Sequence, residues 1–176
     1  MSILLTILLL AILAILAFQD FKEREISLFL LLLLAVLLMV RGIISVGLPE
    51  LKREILLNWS FLFIQLFLLT TVYTIKNRGF KDFTKNYIGW GDIVFYAIIA
   101  LLLPLANYVL FFIVGLITTL IAAFAIKHIL KTKFTTIPLA GSLALQTGLL
   151  ICFDSFQIIN LANYNWLFTL TLLKSL

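Results

Sequence analysis

Charge is scarce in this 176-residue chain: Asp, Glu, Lys and Arg together make up 12% of it. A soluble domain carries about a quarter, so this composition leaves too little charge for a water-facing surface. Cysteine is almost absent. The single one, Cys152, excludes an internal disulfide and any paired-cysteine zinc site. The single histidine, His128, stands among lysines with no His or Cys partner for a metal. The three prolines, Pro49, Pro104 and Pro138, mark the edges of apolar runs. The net charge of +5 suggests nucleic acid as a partner, but the basic residues lie in short connections between apolar runs. The positive-inside rule accounts for that placement, and no nucleic-acid partner is expected.

What remains is apolar, at 64% of residues. Runs of about 17 to 20 apolar residues match the roughly 30 Å hydrocarbon core of a bilayer. The fold class expected is all-α: a polytopic transmembrane helix bundle in a single domain over residues 1–176, with six spans and a short C-terminal apolar helix. The spans are placed at about Ser2–Phe18, Ser27–Val46, Trp59–Ile75, Gly89–Leu103, Tyr108–Ile126 and Ile137–Phe153. Gly47-Leu48-Pro49 breaks the second run, and Glu50–Asn58 reads as a connection with about two helical turns. The run Leu161–Leu173 is too short to cross a full bilayer upright.

The first run has no basic residue before it and is followed by Lys22 and Arg24, which fits an uncleaved first span with its N-terminus outside. Six alternating spans then place Lys22, Arg24, Lys76, Arg78, Lys81, Lys85, Lys127, Lys131 and Lys133 inside, against Arg41, Lys52 and Arg53 outside. Lys127, His128, Lys131 and Lys133 are expected to sit against anionic lipid headgroups.

This orientation brings two carboxylates to one depth. Asp20 ends the first span, and Asp92 lies in the first turn of the fourth. Acids at membrane depth are costly, and they are functional candidates by default. Gly89 and Gly91 flank Trp90 at this helix start, where they leave room for a substrate backbone beside Asp92. Two facing carboxylates titrate as a unit. One activates water while the other hydrogen-bonds a scissile carbonyl, as in aspartic proteases. Exposed helix donors favour a negative charge on Asp92, which assigns it the general-base role and Asp20, near a helix C-terminus, the proton-donor role. Taken singly, each acid also reads as structural: a first-turn helix acid at Asp92, a solvated juxtamembrane acid at Asp20.

Three stretches carry a family resemblance. Asp20 with Lys22, Arg24 and Ile26, then Gly89-Trp90-Gly91-Asp92, then Ile137-Pro138-Leu139-Ala140-Gly141 resemble the motifs of the type IV prepilin peptidases, the GxGD membrane aspartyl proteases. Ser27-Leu28 stands where the family has Pro-Asn, and Ile93 where a lysine is common. The resemblance implies an aspartic endopeptidase of the cytoplasmic membrane that cleaves the basic leader of prepilin-like precursors at the cytoplasmic face. It implies Asp20 and Asp92 as catalytic residues, Gly89, Gly91, Ile26 and Pro138 as substrate contacts, and no metal or organic cofactor. No N-terminal extension with paired cysteines precedes the first span, so the methyltransferase activity of long family members is not expected. The presenilin-type GxGD group fits less well, because it places its aspartates on neighbouring spans. The competing class is a non-catalytic membrane protein, either an inactive homologue acting in assembly or a transporter. The nearly all-apolar mid-span positions count against the transporter.

Overall fold

A computed structural model describes residues 3–77, 89–130 and 139–161. It is a helical membrane bundle with no strand among the described residues. The helices are α1 (Ile3–Glu23), α2 (Leu28–Val46), α3 (Leu48–Asn77), α4 (Trp90–Ile99), α5 (Leu105–Leu130) and α6 (Leu139–Ser155). Four of them, α1, α2, α3 and α5, are long and apolar enough to cross a membrane; α4 and α6, with 10 and 17 residues, fall short of that length. Six helices thus answer the six expected spans, but only four have full spanning length. The Leu161–Leu173 run lies, after Leu161, outside the described residues.

The bundle wears its apolar side chains outwards. Phe29, Phe63 and Leu120 are each more than 60% exposed, and Leu4, Phe67 and Phe124 likewise. Apolar patches of this extent do not persist in water on a monomer; in a bilayer they face lipid tails. The interior is held by a smaller set of buried leucines, with Phe95, Ile99, Tyr108, Leu143 and Ile151 at its centre.

The most extensive helix pairing is α1 against α6. Small residues allow it. Gly141, Ala144 and Gly148 recur along α6; from α1, Ala17 faces Gly141 and Leu10 faces Gly148. Without an apolar driving force between helices in lipid, close backbone approach across small residues is the main source of association.

The Gly47 break is observed, with a positive φ of 82° that suits glycine. The stretch beyond it differs from expectation. Glu50–Asn58 is no separate connection: it forms the first turns of one continuous helix, α3, of 30 residues. Pro49 falls in the first turn, where its missing N–H costs little. The polar residues there are inward fasteners. Asn58 is fully buried and donates to the carbonyls of Ala100 (3.1 Å) and Leu103 (2.8 Å), closing the end of α4. Glu54, one turn earlier, accepts the backbone N–H of Leu105 at 3.0 Å and so caps α5. The polarity that reads as a solvated loop in sequence serves the two exposed helix ends at the α4–α5 turn.

Arg41 is likewise displaced from its expected setting in the outer connection. It lies within α2, 3% exposed, paired with Asp154 of α6.

Candidate active site

Asp20 sits one turn before the end of α1 and is 7% exposed. The helix stops at Glu23 because Arg24 takes a positive φ of 59°, with its N–H still reaching the Asp20 carbonyl at 3.3 Å. The Arg24 side chain keeps its charge within electrostatic reach of the Asp20 carboxylate. Gln19 holds the turn by accepting the Ser27 N–H at 3.4 Å. This tight reversal carries Ile26 back across the bundle end.

Asp92 stands at the third position of α4. Gly89, in an extended conformation, precedes the helix and donates its N–H to Asp92 Oδ2 at 3.2 Å. The carboxylate is half-buried, while Gly89 and Trp90 are exposed at the bundle end. Gly91 packs on Ile26: a Cβ at Gly91 would lie 3.0 Å from Ile26 Cδ1. The room left by Gly91, expected to receive a substrate backbone, is filled by Ile26 in this structure. Two of the residues expected to contact substrate therefore meet beside Asp92. Pro138, the fourth of them, lies outside the described residues.

The first turn of α6 joins the two acids. The Gly141 N–H donates to Asp20 Oδ2 at 2.6 Å. The preceding N–H, of Ala140, is bonded by the Asp92 carboxylate. The two carboxylates lie close enough for their charges to interact directly. Helix N-termini leave backbone donors unused by the helix itself and favour negative charge. Here two consecutive donors hold two acids from α1 and α4, 72 residues apart in sequence (92 − 20). Gly141 is required by this geometry. A Cβ there would lie 3.0 Å from Asp20 Oδ2, 3.1 Å from Asp20 Cβ and 3.3 Å from the Ala17 carbonyl.

The expected pairing of Asp20 with Asp92 is thus present, and at one end of the bundle. Sequence reasoning singled out Ile137–Gly141 by family resemblance but assigned no role to the amides of Ala140 and Gly141. Ala140 and Gly141 contribute backbone, which carries no side-chain signature; the signal in the sequence was the resemblance of Ile137–Gly141 to a family motif. It also undercounted polarity in mid-bundle. Thr118 and Thr119 of α5 meet Ser142 and Gln146 of α6, with Thr119 to Ser142 at 2.7 Å and Gln146 to Thr118 at 2.5 Å. The buried Tyr96 hydroxyl, one turn beyond Asp92, has no hydrogen-bond partner among the described residues. Among the described residues no group of three His, Cys, Asp or Glu side chains is arranged to hold a metal.

Residues 7–126 match the type IV leader peptidase family. The chain belongs to that family. The match spans α1 to most of α5 and includes both aspartates; α6 lies beyond it. This leader-peptidase family member is accordingly a peptidase-type protein built into a membrane. No curated protein and no solved structure matches the chain.

Proposed function

We propose that this protein is an aspartic endopeptidase that cleaves the basic leader of type IV prepilin-like precursors at the cytoplasmic face of the inner membrane, with Asp20 and Asp92 as its catalytic pair. The observation that carries the reading is the meeting of both carboxylates on consecutive amides at the start of α6. Held this way, the two acids share one site.

The chemistry follows from the pair. One ionised carboxylate takes a proton from a water, which attacks the scissile carbonyl carbon. The other, protonated, donates a hydrogen bond to the carbonyl oxygen as it gains charge. Collapse of the tetrahedral species passes a proton to the departing amine, and the free carboxylate is restored. Both acids meet a backbone N–H of α6, and Asp92, in the first turn of α4, also accepts the Gly89 N–H, which supports Asp92 as the general base and Asp20 as the proton donor. Substrate would enter at the open bundle end, where Gly89 and Trp90 are exposed. Exposed Glu23 and Glu25 flank Arg24 there and suit a basic leader, while Lys22, stacked 5.3 Å over the Phe18 ring, suits the headgroup level.

A second reading has an observation in its favour. The same hydrogen bonds make Asp20 and Asp92 caps for α6, so both acids could be retained for structure in an inactive homologue serving assembly. The two readings part in one experiment. Asp20→Asn and Asp92→Asn are each purified, checked for insertion and thermal stability, and incubated with a prepilin-like substrate. Asparagine keeps an acceptor for the α6 amides, so folding should survive. The catalytic reading expects each single variant to lose cleavage and the double variant to be no worse, as for residues that act as a unit. Cleavage by either single variant would remove the dyad and leave the capping role.

A further inference from the structure

Ile26 lies where a substrate would have to lie. Its Cδ1 stands 3.0 Å, and its Cβ and Cγ1 each 3.7 Å, from the point that a Cβ on Gly91 would occupy. Three of its carbons thus cover the face that glycine leaves bare next to Asp92. A water or carbonyl that reacts at this carboxylate must come within hydrogen-bond reach of it, about 3 Å. Interiors pack too closely to admit a peptide backbone over Gly91 while Ile26 stays in place.

The segment that carries Ile26 can give way. Four residues, Arg24 to Ser27, join α1 to α2. Two of the hydrogen bonds that tie this turn are long: Arg24 N–H to the Asp20 carbonyl at 3.3 Å and Ser27 N–H to Gln19 Oε1 at 3.4 Å, against about 2.9–3.0 Å for an ordinary bond. The Ser27 side chain makes no capping bond to α2. Arg24, at a φ of 59°, holds a left-handed conformation that any side chain disfavours. Residues that end helices and absorb changes in φ and ψ are the usual hinges of loops that close over sites. The apolar anchor that seats the turn is Ile26, half-buried against the core beside Gly91.

We propose that the Arg24–Ser27 turn is a lid with Ile26 as its plug, seated on Gly91 in the resting protein and withdrawn when a polypeptide substrate enters. The identity of what enters rests on the peptidase reading above; the lid itself rests on the contact of Ile26 with Gly91 and on the loosely tied turn. Seated, the plug covers the Gly91 side of Asp92. Withdrawn, it bares a strip of α4 backbone beside the carboxylate, where the substrate chain can lie. Gly91 serves both states: it accepts the Ile26 side chain in one and the substrate backbone in the other.

The contact can be locked. The Cβ positions at 26 and 91 lie 3.7 Å apart, within the range of about 3.5–4.5 Å that a disulfide needs. The full chain is made with Ile26→Cys and Gly91→Cys, and with Cys152→Ser to remove the native thiol. It is oxidised without substrate and compared with itself after reduction. The probe is a fluorescent peptide with a short lysine-rich leader joined to an apolar helix. The bridge should form in nearly every molecule. The bridged protein should bind the peptide about tenfold or more weakly than the reduced protein and should lose cleavage, and reductant should restore both. Failure of the bridge to form, or equal binding by bridged and reduced protein, would overturn the lid.

A second measurement needs no cleavage. Ile26→Cys alone, with Cys152→Ser and with Asp92→Asn to prevent turnover, is treated with an impermeant thiol reagent. Labelling should be slow in the free protein, where position 26 is packed on Gly91, and should quicken several-fold when the peptide is added. An unchanged or slower rate would overturn the lid. The lid and the peptidase reading fail separately. Peptide-dependent labelling with no cleavage by the wild type would remove the peptidase reading and keep the lid. Cleavage by the wild type, with binding indifferent to the bridge, would keep the peptidase and remove the lid.

Discussion

Replacing Gly141 by alanine tests whether the start of α6 sets the geometry of the two acids. The new Cβ would stand 3.0 Å from Asp20 Oδ2 and 3.3 Å from the Ala17 carbonyl oxygen. Non-bonded carbon contacts settle at about 3.5–4.0 Å, so α1 and α6 must separate locally by roughly half an ångström. Crowding of this kind costs about 1–3 kcal/mol. The change also gains about 1 kcal/mol, because alanine is the better helix former. The net loss of stability is then roughly 1 kcal/mol, and the protein should stay folded. Activity should suffer more. The 2.6 Å bond from Gly141 to Asp20 would lengthen, and a misplacement approaching 1 Å in a catalytic group costs about 100-fold. We expect Gly141→Ala to lower cleavage of a prepilin-like substrate by about 10- to 100-fold with little change in melting temperature. Gly148→Ala is the matched control on the same helix, since its Cβ would meet only Leu10 Cδ2 at an ordinary 3.8 Å. It should be neutral or slightly stabilising. Wild-type cleavage by Gly141→Ala would refute the claim that close approach of α6 positions Asp20.

Three further outcomes can be checked. Asn58→Ala leaves the Ala100 and Leu103 carbonyls without their donor and should cost about 2–4 kcal/mol, read as a lower denaturant midpoint. Gly91→Leu must displace Ile26, which lies 3.0 Å from the position of its Cβ; cleavage should fall while membrane insertion persists, and normal cleavage would show that the Gly91–Ile26 contact is not needed. Lys81→Cys should react with an impermeant thiol reagent only from the cytoplasmic side, and Lys52→Cys only from outside; the opposite pattern would reverse the proposed orientation.

The helical class and the six-helix order were legible because lipid-facing surfaces must be apolar, and that requirement writes itself along the chain as long runs. The pairing of Asp20 with Asp92 was legible for a related reason. An acid at the end of an apolar run is rare, and counting spans between two such acids puts them at the same end of a bundle. Reading failed where a polar residue was buried instead of solvated. Glu54 and Asn58 look like loop residues by composition, yet they face inward to serve helix ends at the α4–α5 turn. Arg41 looks like a topogenic charge because composition records only its sign, whereas the half-buried partner that holds it, Asp154, is 113 residues away. Long-range pairing of this sort leaves no periodic trace.

The division of labour around the acids explains why the role of the α6 amides stayed hidden although Ile137–Gly141 stood out by resemblance. Asp20 and Asp92 act through side chains, so any pattern that records residue identity can find them, and the family match over residues 7–126 contains both. The donors that hold them at Ala140 and Gly141 are backbone N–H groups, which every residue but proline supplies. Only the absence of a side chain at Gly141 is a demand on identity, and it is a demand for space, set by Asp20 and Ala17 on another helix. A lone glycine in an apolar helix reads as packing until the opposite wall is known. The start of α6 is therefore specified less by its own residues than by those it meets, and substitutions there should be tolerated in proportion to the room they leave for the Asp20 carboxylate.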